Sequence, residues 1–431
     1  MSSSIPASKY ILIIGGEFAL RERILGGALR AGGGMPVYVL ARSRTSTTVK
    51  FYDGYITGDL TDPEGVLAAV LEHKARTGEE PAAVVPVNDF AVRSALAVSQ
   101  YFDLVHNPSG VVERCRDKFV MKEVLAAAGL PVPKFGAFRT LQELQALARD
   151  IGFPLVIKPR QLTGSVGVIK ISDANELAAA YQQCIADIDS LGGAFKEPLD
   201  VFQAEEYIPA QAEVSVEVFN HDGLHRVLAV TDKYLGAEPH FVETGHTVPS
   251  IYQDDRRLRE IAEQSCAALG IRWGMGHFEA RITPAGEVRI VEVAARTGGD
   301  CIMDLVEHAF GINPYELHVA SYLGRMPALP DELVARGLGA VAFLKAAEGV
   351  IESVKVPEAL PVEVVNVQIS GKRGDRSYPL NSWHDREGSI EFYWPGRKAE
   401  RGFDGHLRLA EQFSREIFTV APAAPRGEPQ P

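Results

Sequence analysis

The sequence predicts a multi-domain α/β protein: an N-terminal domain built on a doubly wound parallel sheet, followed by α+β units. Three observations carry this. Apolar strands alternate with helical patterns up to about residue 110. Two glutamate-bearing strands in the middle of the chain are joined by the turn sequence Pro284-Ala285-Gly286-Glu287. A strand-rich stretch follows residue 335. At 431 residues the chain can bury several cores, and 46% hydrophobic with 23% charged residues is ordinary for a globular protein.

In the first domain, taken as 1–114, Tyr10-Ile11-Leu12-Ile13-Ile14 is a fully apolar run typical of a buried parallel strand. Gly15-Gly16 ends it. A helix from about Leu20 to Ala31, a strand Val37–Leu40, a helix Pro63–His73 and a strand Ala82–Val87 continue the alternation. The two glycines do not complete G-x-G-x-x-G, so a tight βα turn competes with a dinucleotide site. In the second unit, 115–203, Asp117-Lys118 opens a helix that Gly129-Leu130-Pro131 ends. A strand finishes at Lys158, and the small-residue loop Thr163–Val168 follows. The third unit, 204–334, holds the glutamate hairpin and helices Asp304–Ala309 and Pro314–Leu323. Residues 335–420 read mainly as strands, Val362–Gln368 among them, and as a separate cap. The Ala/Pro/Gly-rich tail 421–431 reads as disordered.

The net charge of −12, without a basic block, argues against broad nucleic-acid binding. No stretch approaches the ~18 apolar residues of a membrane span, and no signal peptide is evident. Cys115, Cys184, Cys266 and Cys301 lack metal-ligand spacing and read as reduced thiols of a cytoplasmic protein.

The chemistry lies in an ordered set. Glu279 and Glu292 project from adjacent strands and offer an all-oxygen site for Mg²⁺ shared with nucleotide phosphates. Arg296, four residues on, suits a phosphate or carboxylate. Upstream stand Lys118 and Lys158, which can reach phosphate oxygens. The Gly164-Ser165-Val166-Gly167 loop has backbone N–H groups that can face phosphates. Glu205-Glu206-Tyr207-Ile208 can read an adenine edge, and Glu213 can accept from ribose hydroxyls. Taken singly, each is as easily a solvated charge, a hairpin turn or an edge strand.

With these stretches in view ("CRDKFVMKEVLAAAGLPVPKF", "GFPLVIKPRQLTGSVGV", "AEEYI", "GMGHFEARITPAGEVRIVEVAARTGGD"), the chain resembles ATP-grasp ligases over roughly residues 8–325. The resemblance implies a Rossmann-like N-terminal domain plus α+β ATP-grasp domains, with ATP clamped between two subdomains and Mg²⁺ (or Mn²⁺) on Glu279 and Glu292. It implies phosphate contacts from Lys118 and Lys158, a closing loop at 163–167, and Arg296 at the acyl-phosphate. Two departures stand out. Ala294 replaces the asparagine of the family's usual Glu-x-Asn-x-Arg, and the spacing from Glu205 to Glu213 is one residue longer than usual. His240–Ser250, "HFVETGHTVPS", resembles the dipeptide-forming, bacilysin-type L-amino acid ligases, in which the matching Glu243 and His246 line the amino acid pocket. A carboxylate suits a substrate ammonium, and an imidazole can help deprotonate an attacking amine.

The resulting expectation is an ATP-dependent carboxylate–amine ligase acting on small-molecule amino acids, often dimeric in this superfamily, with no nucleic-acid or membrane partner. A bicarbonate-using carboxylase and a nucleotide-binding regulatory protein without turnover are the alternatives.

Overall fold

The computed structural model describes residues 8–17, 22–43, 49–162, 164–189 and 201–421. Thr163 and the tail from 422 lie outside them. The N-terminal domain is a four-stranded parallel sheet in the order β3-β2-β1-β4, formed by β1 (Lys9–Ile14), β2 (Val37–Ala41), β3 (Gly54–Thr57) and β4 (Glu80–Pro86). Helices α1 (Ile24–Gly32), α2 (Pro63–Thr77) and α3 (Val92–Tyr101) flank it. Asp62 caps α2, its carboxylate accepting from the Gly65 N–H, with Pro63 at the first helical position. The expected start of α1 at Leu20 falls outside the described residues.

Helices α4 (Ser109–Arg116) and α5 (Lys118–Ala127) come next, and Asp117 caps α5 through the Phe119 and Val120 N–H groups. The lid sheet follows, in the order β5-β8-β6-β7, from β5 (Phe135–Phe138), β6 (Leu155–Pro159), β7 (Ile169–Ile171) and β8 (Phe202–Glu206). Helices α6 (Leu141–Ile151) and α7 (Leu177–Asp189) cover it and complete a core of its own. Two sequence boundaries need correcting. A break at 203/204 would cut β8, which pairs with both β5 and β6. The segment 115–130 does not belong with the lid, because Met121, Leu125 and Leu130 pack against Val214, Val216 and Phe278.

The centre is an eight-stranded antiparallel sheet in the order β13-β12-β9-β10-β11-β14-β18-β16. Its first strands are β9 (Ala212–His221), β10 (Leu224–Leu235), β11 (Glu243–Val248), β12 (Gly274–Ile282) and β13 (Val288–Ala294). Helix α8 (Arg256–Leu269) backs them, and α9 (Ile302–Phe310) and α10 (Pro314–Tyr322) follow. The expected separate cap at 335–420 is not separate. Strands β14 (Gly337–Leu344), β16 (Val364–Ile369) and β18 (Gly388–Pro395) extend this same sheet through β11–β14 pairing. Only β15 (Gly349–Val354), β17 (Arg376–Ser377) and β19 (Phe418–Ala421) form a small sheet apart. The region also holds a 13-residue helix, α11 (Gly405–Ile417), which the strand reading missed.

Period-two alternation divides the central sheet into two faces. Val214, Val216, Val218, Phe278, Ala280 and Val293 are buried behind it with α8. Each such aliphatic or aromatic side chain contributes about 1.5–3 kcal/mol by leaving water. Glu213, Ser215 and Glu217 alternate with them on β9, and Lys233, His277, Glu279 and Arg281 stand opposite in register on β10 and β12. The hydrophobic back fixes the register, and so the front row of polar side chains. The N-terminal domain is fused to this body, because Ile11, Ile13, Val39 and Val85 share one core with Ile302, Leu305, Val306 and Tyr315.

Candidate active site

One end of the front face lies against the sheet β5-β8-β6-β7. Glu279 and Glu292 are direct partners across β12 and β13, beside a β-bulge. Glu292 meets the Lys118 ammonium at 3.1 Å, and Lys118 also donates to the Leu162 carbonyl at 2.5 Å. From β6, Lys158 pairs with Glu205 of β8 at 2.8 Å. A third lysine, Lys122, stands one turn after Lys118 on α5. It is fully buried, donates to the Ile290 carbonyl at 2.6 Å and lies 3.6 Å from Glu205. Burial pushes its ammonium down to about 8, against the pull of Glu205. Burial also works to raise the Glu205 carboxyl, but Lys122 and Lys158 outweigh it and hold Glu205 below the usual carboxylate range.

The loop joining β6 to β7 turns through Gly164, Ser165 and Gly167, all at positive φ (+70°, +60° and +68°). A Cβ at Gly164 would strike the Trp383 ring, so the loop rests against the C-terminal region. The four residues after β8's interior divide. Glu205 joins the lysines, whereas Glu206 accepts from the Lys134 N–H away from them. Tyr207 hydrogen-bonds Glu238 at 2.8 Å and stacks on Phe241, and the Ile208 carbonyl accepts from Arg281 at 3.1 Å. Glu213 is held by Arg281 at 2.8 Å.

In the middle, Lys233 is a hub. It contacts Glu279, lies 3.0 Å from Glu243 and 3.8 Å from Glu213. Burial opposes its charge, but Glu279, Glu243 and Glu213 raise its pKa well above the ordinary lysine value. Burial likewise opposes ionisation of Glu279, and Lys233 and His277 overcome it and hold that carboxyl well below its usual range. His277 bridges two carboxylates, with Nδ1 2.7 Å from Glu217 and Nε2 3.2 Å from Glu279. Despite burial, Glu217 and Glu279 raise its imidazolium to about 9. Gly298 lets the chain pass here, since a Cβ would come within 3.1 Å of both Glu217 and His277. Ala294 stands directly opposite His277.

The far end is bounded by β11. Glu243 pairs with Lys233 and, at 3.0 Å, with Arg386, which comes from the segment before β18. Arg386 also holds Asp300 at 3.0 Å, and Asp300 lies 3.6 Å from His246. His246 is fully buried, and neither of its ring nitrogens has a hydrogen-bond partner. Burial would raise the Asp300 carboxyl, but Arg386 and His246 hold it far below the usual range. Arg296 is fixed from the N-terminal domain, its Nε 2.6 Å from Asp89, while Nη1 donates to the Thr297 carbonyl.

The paired carboxylates fit a hard divalent cation. Among the described residues no three acidic, His or Cys side chains converge to hold a metal alone, so an ion held by Glu279 and Glu292 would need further oxygens from phosphates and water, as Mg²⁺ does. Lys118 pairs with Glu292, and Lys233 with Glu279.

Sequence reasoning missed Lys122, Lys233, His277, Glu217, Asp89, Asp300 and Arg386. Lys122 was accessible from its i,i+4 spacing to Lys118, and Lys233 and Glu217 from strand alternation. Nothing local marks Arg386. Among the described residues no helix is long and apolar enough to cross a membrane.

Residues 151–304 match the model of an ATP-grasp domain. The uncharacterized protein y4rH of Sinorhizobium fredii is 32% identical over 49% of this chain and 43% of its own length. An alanine–anticapsin ligase of Bacillus subtilis is 28% identical over 48% of this chain and 46% of its own. The chain thus spans about half the length of these curated relatives. The crystal structure of an L-amino acid ligase from Bacillus licheniformis superposes with a TM-score of 0.79 at 20% identity, covering 97% of this chain and 100% of that one. The chain carries an ATP-grasp domain, set in the overall fold that this L-amino acid ligase shares.

Proposed function

We propose that the chain is an ATP-dependent carboxylate–amine ligase that joins an amino acid carboxylate to an amine, as in dipeptide synthesis. The carrying observation is the front face of the central sheet. It sets Glu279 opposite Glu292 between a lysine cluster and the Glu243/His246 pocket. The names of the relatives, ligases of alanine with anticapsin and of D-alanine with D-alanine, support the reaction class.

In this reading Lys118 and Lys158 exchange their glutamate partners for ATP phosphates, and the Gly164–Gly167 loop closes over them. Glu205, Tyr207 and Ile208 border the adenine, with Glu206 on the outer side, and Glu213 faces the ribose. Glu279 and Glu292 hold Mg²⁺ or Mn²⁺; when bound, the ion neutralises charge on the transferring phosphoryl group. The substrate carboxylate oxygen attacks the γ-phosphorus, the bond to ADP breaks, and an acyl-phosphate forms. The amine nitrogen then attacks the acyl carbon and phosphate leaves. Arg296, locked by Asp89, stabilises the anion that develops in this second step. The amine must first lose a proton, and the His246 imidazole, 3.6 Å from Asp300, offers an acceptor for it when neutral.

The test is phosphate release from ATP with amino acids supplied singly and in pairs, with and without Mg²⁺, and mass analysis of products. A peptide product and release that needs both Mg²⁺ and amino acid are expected. Release that depends on bicarbonate instead, or ATP binding without any turnover, would overturn the proposal.

A further inference from the structure

We propose that Arg386 is a specificity-determining residue of the acceptor pocket: the C-terminal region inserts one guanidinium between Glu243 and Asp300, so that the pocket takes one cationic group and rejects a second. The inference rests on the ligase reading and extends it to the class of amine accepted, a single ammonium on an otherwise uncharged side chain.

The geometry is closely defined. Arg386 Nη1 donates to Asp300 at 3.0 Å, and Nη2 donates to the carboxylate and main-chain carbonyl of Glu243 at 3.0 and 2.9 Å. Its guanidinium lies 3.6 Å over the Phe343 ring, which fixes the plane of the fork. The side chain is 7% exposed, and its Nε has no partner. Phe343 also meets His246 edge-on at 5.8 Å. Glu243, His246, Asp300, Phe343 and Arg386 therefore form one contiguous cluster.

The charge balance gives the selectivity. Glu243 and Asp300 bring two negative charges and Arg386 one positive. Lys233 lies 3.0 Å from Glu243 but also contacts Glu279, and Glu213 is held by Arg281, so Glu243, Asp300 and Glu279 outnumber Lys233 and Arg386 by one charge. One negative charge remains beside the His246 imidazole, whose Nε2 lies 3.6 Å from Asp300. An arriving α-ammonium completes the set. A second cation, as on lysine or ornithine, would meet Arg386, and like charge in a buried site is costly. If Arg386 merely tied the C-terminal region to the body, its loss would lower stability and leave the choice of amine unchanged.

The experiment compares alanine and lysine as amine donors in ligation by the wild type, Arg386→Met and Asp300→Asn, with the KM for ATP measured alongside. Wild type should favour alanine. In Arg386→Met the ratio of kcat/KM for lysine to that for alanine should rise at least about tenfold, equivalent to about 1.4 kcal/mol. In Asp300→Asn, where a carboxylate is lost and the guanidinium kept, the ratio should fall. The KM for ATP should stay within about twofold in both. If Arg386→Met loses its cooperative melting transition, the Asp300→Asn ratio decides alone. An active wild type whose ratio is unmoved in the folded variants overturns the role of Arg386 and leaves the ligase reading intact. A wild type that ligates no amine sinks that reading, and this inference with it.

Discussion

The two ends of the front face are charged in opposite senses. At the nucleotide end three lysines, Lys118, Lys122 and Lys158, meet two glutamates, Glu205 and Glu292. At the acceptor end two carboxylates, Glu243 and Asp300, meet one guanidinium, Arg386. Burial makes an uncompensated charge expensive, so in the proposed reading each end takes a ligand of the opposite sign, a polyphosphate at one and an ammonium at the other. Lys233 lies between, gripped by Glu213, Glu243 and Glu279. The ends also differ in mechanical backing. The lid has its own core and reaches the body largely through polar contacts, such as Lys170 to Glu238 at 2.6 Å and Arg160 to Asp117. The acceptor end is built on the body itself, whose core is continuous with the N-terminal domain. Damage at one end should therefore be separable from damage at the other.

The largest effect is expected where both ends depend on the same group. Glu292→Gln should lower amino-acid-dependent phosphate release by about 10²–10³-fold, the usual cost of removing one preorganised charge contact at a reacting centre. Thermal melting should fall only modestly, because this carboxylate is partly solvated and the glutamine carbonyl oxygen can still accept from Lys118. Full activity in this variant would remove the metal role. Lys158→Ala should act on the nucleotide end alone. Loss of a charge-assisted hydrogen bond, about 1.5–3 kcal/mol, corresponds to a rise of roughly 10–100-fold in the KM for ATP, with the KM for amino acids nearly constant. Calorimetry showing unaltered nucleotide affinity would mean that Lys158 serves only Glu205. His246→Ala is the converse break: a loss of about 10²-fold in amide formation is expected with ATP affinity retained. Wild-type ligation rates and an unaltered pH profile in that variant would reduce His246 to a support of β11.

What the sequence disclosed follows the same division. Glu279 and Glu292 were legible as residues of one hairpin because a turn joins their strands, but their direct pairing depends on a β-bulge between Glu279 and Ala280 that alternation alone does not disclose. Lys158 and the glycine loop were legible because they are contiguous. The acceptor end was only half legible. Glu243 and His246 sit together on β11, but Arg386 is 143 residues from Glu243 and reaches it only because β14 and β18 extend the central sheet. Reading 335–420 as a separate cap hid that, since a strand's propensity does not say which sheet it joins. The boundary at 203/204 failed for a related reason: β8 follows the lid's helices in sequence and precedes the body's strands, and only its hydrogen bonds to β5 and β6 assign it.

The smallest expected effect separates the three lysines of the nucleotide end from one another. Burial depresses Lys122 to about 8 against an ordinary 10.5. Below pH 8 it is charged in both folded and unfolded chains. Between about 8 and 10.5 the unfolded chain keeps the proton that the folded chain has released. The unfolded state then binds more protons, and stability rises with pH across that window, by about 3 kcal/mol at most. Nucleotide affinity should run the other way, because the site loses one of its cations as the pH passes 8. The KM for ATP is expected to rise a few-fold between pH 7 and pH 9 in the wild type, about what one ammonium contributes to phosphate binding at intermediate range. In Lys122→Met, which replaces the ammonium with an apolar group of similar length, the KM at pH 7 should already be raised and should then stay flat. If the variant shows the same rise with pH as the wild type, the titrating group lies elsewhere, and Lys122 is a structural tie between α5, β8 and β13 rather than part of the phosphate site.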